Sequence, residues 1–175
     1  MTRFWDEVVV RWEGLAHTKD PVDAGGETFC GISRRWNPSW SGWAMVDAGE
    51  IQKAIALARG WYGKRWEFMR CHEMKHEGLA LKVFEQGILF GIQRAVKWLQ
   101  EDMQSVVERT PATAVDGIVG PATLAHVNFL SRHQAEAVQV LMAQDAVNVH
   151  LLKDVGMRRR FLVGHLRRAG AIYRD

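Results

Sequence analysis

The chain has 175 residues, of which 47% are hydrophobic, so it can bury a core and is not an intrinsically disordered protein. Its net charge is +3, and the excess of basic residues lies at the end of the chain. The first residues contain no basic segment followed by an uninterrupted apolar stretch, so neither a signal peptide nor a membrane anchor is expected. We expect a protein made in the cytoplasm, without a transmembrane segment, that reaches any target beyond the inner membrane with help.

The first 33 residues predict a helix followed by a hairpin. Apolar residues recur at helical spacing over residues 3–13, and Gly14 can end this helix in the left-handed region. Residues 14–33 lack the periodicity and contain Asp-Pro and Gly-Gly pairs. They are therefore predicted to form turns and a short hairpin.

The remainder of the chain predicts mainly helices. Helical periodicity returns over residues 48–62, 77–91 and 93–107. Pro121 fits the first position of a further helix, where its missing N–H costs nothing. The fold class predicted from these elements is mostly α, a helical bundle with a small N-terminal β-hairpin.

Two more helices are predicted near the end of the chain. The segment SRHQ at 131–134 matches a capping box for a helix that runs to about Val155, and a basic helix follows from about Met157. A shift in composition near residue 92 is the candidate boundary between domains 1–92 and 93–175, which we expect to pack on each other.

The cysteines and histidines give no metal-binding pattern. Cys30 and Cys71 could pair in an oxidising compartment or remain ordinary thiols, and their spacing leaves both possibilities open. The seven histidines are scattered and form no HExxH motif. We therefore expect no metal and no cofactor.

Eight tryptophans all lie at or before Trp98. Three of them, Trp36, Trp40 and Trp43, lie in a segment with Pro, Ser and Gly but without helical spacing, which favours a loop. Burial in the core and stacking on sugar rings both explain such a high content of tryptophan. We assign Trp43 as a candidate substrate contact.

Glu13 is the candidate general acid. Cleavage of a glycosidic bond requires a carboxylic acid that is protonated near neutral pH and can donate to the leaving oxygen. Glu13 follows Val9 and Trp12 at the predicted helix end, where apolar neighbours and the negative end of the helix dipole favour the protonated acid. A solvent-exposed Glu at a helix end has the same pattern, so both interpretations stay open.

The loop after Glu13 carries the other candidate groups. Asp23 or Asp20 in a polar loop would remain ionised and could stabilise positive charge or orient a water, and the Thr28 hydroxyl could hold that water. Gly25 and Gly26 would let the backbone approach a sugar without interference from a Cβ. The two aspartates and the Gly-Gly pair are equally typical of turns.

The segment EGLAHTKDPVDAGGETFCGIS resembles the signature of the glycoside hydrolase family 108 N-acetylmuramidases. That signature has Glu-Gly-Gly-Tyr, followed by Asp-Pro-x-Asp-Pro-Gly-Gly-x-Thr-x-x-Gly-Ile-Thr. The positions that match without a gap are Glu13, Gly14, Asp20, Pro21, Asp23, Gly25, Gly26, Thr28, Gly31 and Ile32. The same order of Glu, Asp and Thr occurs in phage-type lysozymes, although Asp23 lies one residue later than their Asp.

Three further segments extend the resemblance over nearly the whole chain. RWEF at 65–68 resembles the family's Tyr-Trp-Asp segment, and 83–100 resembles its Phe-Asp-x-Ala-Val-Asn-x-Gly helix with the following Ala-x-x-x-Leu-Gln. VDGIVGPATL at 115–124 resembles the Asp-Gly-x-x-Gly-Pro-x-Thr turn of peptidoglycan-binding modules. Within the helix, Glu85 stands in the place of the family's Asp and is a candidate substrate contact, whereas Leu89 replaces an Asn and cannot hydrogen-bond a sugar.

The resemblance implies a lysozyme-like α+β fold and hydrolysis of the β-1,4 bond between N-acetylmuramic acid and N-acetylglucosamine, with Glu13 as proton donor. It also implies an endolysin that acts as a monomer on peptidoglycan strands, stays in the host cytoplasm until a holin releases it, and attacks the wall in the periplasm. Leu15, Ala16, Ala24 and Cys30 depart from the family pattern, so the turn after Glu13 is expected to differ.

Other functions are compatible with parts of the sequence. A lytic transglycosylase needs the same acid, and a wall-binding or phage structural module could grip peptidoglycan without cutting it. The chain from Lys153 onward has seven basic and two acidic residues, which would attract an anionic cell envelope. Nucleic acid is not expected as a partner, because this basic run has no interleaved aromatic platform.

Overall fold

The computed structural model describes residues 3–19, 25–107, 113–153 and 166–175. Within these residues the protein is mostly helical and has one small antiparallel sheet, which confirms the predicted fold class. The chain divides into two compact units, Met1–Trp66 and Glu67–Asp175. This division comes earlier than the boundary predicted after residue 92 from composition, and that boundary stays a prediction.

The first helix spans Phe4–Glu13, which confirms the predicted position. It is a π-helix and not the α-helix expected from the sequence, because its hydrogen bonds join residues five apart. At its end, the Gly14 N–H donates to the Val9 carbonyl at 3.0 Å. Glu13 therefore lies about one π-helical turn after Val8, which is fully buried.

The sheet has three short strands in the order β1-β2-β3, so the predicted single hairpin is in fact two. The strands are β1 His17–Lys19, β2 Glu27–Phe29 and β3 Ile32–Ser33. Thr28 in the central strand pairs with Thr18 on one side and with Ser33 on the other.

The turn between β2 and β3 consists of Cys30 and Gly31, with φ angles of 48° and 76°. Positive φ at both central residues is the geometry of a tight two-residue hairpin turn. The turn is fixed to the rest of the unit, because the Cys30 carbonyl accepts a hydrogen bond of 2.9 Å from the Tyr62 hydroxyl.

Two helices complete the first unit. Helix α1 spans Gly42–Asp47, and α2 spans Ile51–Phe68, which ends two residues beyond the division between the units. Helix α2 is longer than predicted, and its Trp66 stacks on Phe4 with 5.2 Å between ring centroids. These aromatic contacts attach the first helix to α2.

The second unit is a helical bundle. After a short 3₁₀ turn at Cys71–Glu73 it contains α3 Glu77–Phe90, α4 Ile92–Val106, α5 Pro121–Phe129 and α6 Arg132–Lys153. The predicted helix starts are confirmed at α5, where Pro121 is in the first turn, and at α6. Before α6, the Gln134 N–H donates to Ser131 Oγ at 3.3 Å and the Ser131 N–H donates to Gln134 Oε1 at 2.9 Å, which is a reciprocal capping box.

Residues 166–175 pack on α3 and α6. The Tyr173 N–H donates to Gln139 Oε1 at 2.9 Å, and the Gly78 N–H donates to Asp175 Oδ1 at 2.8 Å. Most of the predicted basic helix, from Met157 to residue 165, lies outside the described residues. Among the helices that the structure does describe, none is both long and apolar enough to cross a membrane.

Candidate active site

Glu13 is the last residue of the first helix and is partly buried. Its side chain lies directly against the turn between β2 and β3. A Cβ added to Gly31 would come within 2.5 Å of Glu13 Oε2 and 2.8 Å of Glu13 Cδ. Glycine is therefore required at position 31 for two reasons: its φ angle is positive, and the Glu13 carboxyl group leaves no space for a Cβ. The sequence motif contains both residues, and the structure brings them together.

The hairpin that carries this turn also carries Thr28 and the glycine pair. The Thr28 hydroxyl donates to the Gly26 carbonyl at 3.3 Å, and the Ser33 hydroxyl donates to the Gly25 carbonyl at 2.6 Å. Gly26 has φ of +64°, and no described atom lies within 4 Å of a Cβ built there. The described residues therefore leave space beside the Gly26 backbone, and its contact with a sugar stays a prediction.

Asp20 and Asp23 lie outside the described residues. The roles predicted for these two aspartates, and the choice between an inverting and a retaining mechanism, therefore stay predictions. The choice depends on the separation of the two carboxyl groups in space.

Glu27 is a carboxylate of the hairpin that the sequence analysis did not single out. It accepts from His17 Nε2 at 2.8 Å and forms ion pairs with Lys19 and Arg34, both at 3.2 Å. The hydrogen bond from His17 lowers the pKa of Glu27, and Lys19 and Arg34 act in the same direction. Lys19 lies directly across from Glu27 in the sheet, so the hairpin register would have revealed this pair.

The three neighbouring tryptophans differ in exposure. Trp40 and Trp43 are buried, whereas 68% of the surface of Trp36 is exposed. Trp43 lies in α1 and not in a loop, and its Nε1 donates to the Asn37 carbonyl at 2.8 Å. One face of its ring is covered by the Arg34 guanidinium at 4.4 Å from the centroid. This position favours a structural role for Trp43 over the predicted contact with substrate.

Glu85 is also buried, in the second unit. Its carboxylate accepts from Lys82 Nζ at 2.9 Å and lies 3.5 Å from Arg168 Nε, and the Lys82 and Glu85 side chains are both 0% exposed. Burial raises the pKa of Glu85, and the two cations oppose this effect. In this position the carboxylate has no surface to offer a sugar, so a structural role is favoured over the predicted substrate contact. Arg168 is only 8% exposed and is likewise poorly placed to meet an anionic envelope.

The turn that resembles peptidoglycan-binding modules is organised by Gln100 of α4. Gln100 Nε2 donates to Asp116 Oδ1 at 2.9 Å and to the Ile118 carbonyl at 3.1 Å, while its Oε1 accepts from the Gly117 N–H at 2.9 Å. The Ile118 N–H in turn donates to Asp116 Oδ1 at 2.8 Å. Gln100 is the last residue of the motif at 83–100, and its hydrogen bonds to this turn could not be predicted from that motif.

Neither cysteine thiol is suited to catalysis, although Cys30 forms part of the turn beside Glu13. Both are buried free thiols, and burial raises the pKa of Cys30 to about 11 and also raises the pKa of Cys71. Such thiols are poor nucleophiles at neutral pH. The described part of the chain has no group of three or more His, Cys, Asp or Glu residues that could hold a metal ion.

Comparison with known proteins identifies two domains in the chain. The family model described as glycosyl hydrolase 108 matches residues 7–91, and the one described as a predicted peptidoglycan domain matches residues 94–170. A solved structure, titled "Structure of Brucella abortus SagA", shares 24% identity over 95% of this chain and 92% of that chain, with a TM-score of 0.60. At this identity the likeness shows the fold alone. No curated protein matches the chain significantly.

The two matched domains define a peptidoglycan-degrading hydrolase. Residues 7–91 match the glycosyl hydrolase 108 family, and the protein is a glycoside hydrolase. A wall-binding module without catalytic activity is therefore set aside.

Proposed function

We propose that the protein is an N-acetylmuramidase that hydrolyses the β-1,4 bond between N-acetylmuramic acid and N-acetylglucosamine. The observation that carries the proposal is Glu13, a partly buried carboxyl group packed against the Gly31 turn within the region that matches the hydrolase family. A carboxyl group positioned by packing against a turn, and still partly exposed, is suited to protonate the leaving oxygen of a bound glycan.

In the proposed mechanism, Glu13 donates its proton to the glycosidic oxygen while positive charge develops on the sugar ring. Asp23 stabilises that charge or orients the attacking water, and Thr28 holds the water. Asp20, Gly25 and Gly26 contact the glycan beside the cleaved bond. The assignments of Asp20 and Asp23 are based on the sequence motif alone.

The test is digestion of purified peptidoglycan by the wild type and by Glu13→Gln, with mass spectrometry of the products. We expect the variant to lose about 10²- to 10⁴-fold in rate while keeping its fold. Glu7→Gln is a matched control, because Glu7 lies in the same helix in a partly exposed ion pair with Arg3. Its rate is expected to stay close to that of the wild type.

The products separate the alternatives. Reducing N-acetylmuramic acid ends made by the wild type and not by Glu13→Gln support the muramidase. Anhydro ends would identify a lytic transglycosylase, which needs the same acid but excludes water. Equal rates in wild type and Glu13→Gln would show that the general acid is a residue other than Glu13.

We further propose that this activity lyses bacterial cells, as in an endolysin that is released from the host cytoplasm to the periplasm. Attraction of the basic segment to the anionic envelope would assist it. Replacing Arg158, Arg159, Arg160 and Arg167 by Gln together should then reduce lysis at low salt more than at high salt. Unchanged lysis and unchanged salt dependence would contradict the attraction and leave the hydrolysis intact.

A further inference from the structure

Trp36 differs from the two tryptophans that follow it. The fold buries Trp40 and Trp43 to 8% and 5% exposure but leaves Trp36 at 68%. Tryptophan is highly buried on average in folded proteins, and its flat apolar face is costly to leave in water. The same short segment therefore uses two indoles for packing and presents the third to solvent.

The backbone of Trp36 is fixed to the hairpin of the candidate active site. The Trp36 N–H approaches Ser33 Oγ at 3.4 Å, and the Asn37 N–H and side chain donate to the Ser33 carbonyl at 2.9 and 3.2 Å. Ser33 in turn pairs with Thr28 across the sheet and donates to the Gly25 carbonyl. Trp36 thus comes three residues after the end of β3. This strand contacts Thr28 and Gly25, which are both candidate site residues.

One face of the Trp36 indole is oriented by its neighbour. The Arg35 guanidinium lies over the ring at 5.1 Å from the centroid. This arrangement is a cation–π contact, which holds the ring plane at an exposed position. Because 68% of the Trp36 surface is exposed, much of this apolar ring is accessible to a ligand.

From this placement we propose that Trp36 is a carbohydrate-stacking residue that binds a pyranose ring of the glycan strand on either side of the cleaved bond. A pyranose presents a patch of C–H groups on one face, and an aromatic ring is complementary to it while its N–H remains free for a polar partner. The inference rests on the proposed function, because it assigns a further substrate contact to the same site. It replaces Trp43 with Trp36 as the tryptophan that contacts substrate.

The test measures binding and turnover separately with the full chain. Binding of a soluble tetrasaccharide of two N-acetylglucosamine–N-acetylmuramic acid repeats is measured by calorimetry on a Glu13→Gln background. The KM and kcat of the same glycan are measured on the active protein. Three changes are compared: Trp36→Ala, Trp36→Tyr, which keeps an aromatic face, and Phe129→Ala, which removes a 70% exposed aromatic of the second unit.

We expect Trp36→Ala to weaken binding and to raise KM by about 5- to 20-fold, with kcat little changed. Trp36→Tyr should stay within about threefold of the wild type, and Phe129→Ala should match it. Because Trp36 is exposed, the unfolding temperature of Trp36→Ala should be unchanged. A loss of binding without a loss of stability separates a substrate contact from a structural role.

On the Glu13→Gln background, equal binding with and without Trp36→Ala would overturn the stacking proposal. An equal loss in Trp36→Tyr and Trp36→Ala, or no binding by Glu13→Gln itself, would also overturn it. Binding that depends on Trp36 in a protein that cleaves no glycan would instead contradict the proposed hydrolysis and support the stacking. The two proposals therefore fail on different measurements.

Discussion

The surroundings of Glu13 and of Glu85 show two ways in which this chain places a carboxyl group away from bulk water. Glu13 ends a helix, is partly buried and contacts the backbone of a glycine turn. Glu85 is fully buried, with Lys82 at 2.9 Å and Arg168 at 3.5 Å. A carboxyl group enclosed with buried cations cannot exchange protons with a substrate, whereas one at a partly exposed helix end can. Glu13 is thus placed for catalysis, whereas Glu85 is placed to stabilise the fold.

The largest expected effect comes from breaking the buried ion pair. Lys82→Met leaves Glu85 buried with Arg168 alone and removes the 2.7 Å hydrogen bond from Lys82 Nζ to the Ala169 carbonyl. We expect a loss of about 3–5 kcal/mol in the free energy of unfolding, measured by urea denaturation. The control is Glu136→Gln, which breaks an exposed pair with Arg132 and should cost less than about 1 kcal/mol. Similar losses in the two variants would contradict a structural role for the buried pair.

On the catalytic side of the comparison, Gly31→Ala should impair activity more than stability. The new Cβ would fall within 2.5–2.8 Å of the Glu13 side chain and must displace it. We expect about a 10²-fold loss of glycan hydrolysis, because a displacement of about 1 Å disturbs the position of the acid. Gly49→Ala is the matched control: φ is +74°, and no described atom lies within 4 Å of an added Cβ.

Both variants should lose about 1–2 kcal/mol of stability from the left-handed backbone alone. Only Gly31→Ala should lose activity beyond that. If Gly49→Ala were equally inactive, the packing of Gly31 on Glu13 would not be the cause.

Local features of this fold could be predicted from the sequence, and features that depend on packing could not. Ser131 and Gln134 form the expected capping box because they meet within a single helical turn. The burial of Glu85 could not be predicted, because Arg168, which lies against it, is distant along the chain. The burial of Trp43 could not be predicted either, because Arg34 covers its ring only after the segment between them has folded. For the same reason the motif located Glu13 and Gly31 but did not predict that they touch.

A third carboxylate, Asp102, is buried and has no ion pair with a cation among the described residues. It is 8% exposed, and its Oδ2 has no hydrogen-bond partner among the described residues. Burial raises the pKa of Asp102 to about 7, and repulsion from Asp145 and Glu101 adds to the effect. The stabilising contribution of the neutral acid is therefore complete below the ordinary pKa of an aspartate and is lost as the pH rises towards 7.

We expect the free energy of unfolding to fall by about 2–3 kcal/mol between pH 5 and pH 8 from this group. Asp102→Asn should remove most of that fall, since the amide is neutral at every pH, and should be more stable than the wild type at pH 8. Denaturation at both pH values measures the effect. An identical pH dependence in wild type and variant would show that Asp102 is ionised throughout.

The smallest effect is expected at Glu27, whose three basic partners lie at a partly exposed position of the hairpin. The hydrogen bond from His17 lowers the pKa of Glu27, so its contribution to stability is present above the ordinary pKa of a glutamate and is lost as the pH falls below it. Exposed ion pairs contribute little, so Glu27→Gln should cost less than about 1 kcal/mol near pH 7 and still less at high salt. A loss as large as that of Lys82→Met would mean that the hairpin depends on this carboxylate as the second unit depends on Glu85. The contrast between a partly exposed charge cluster on the hairpin and a buried one around Glu85 would then no longer hold.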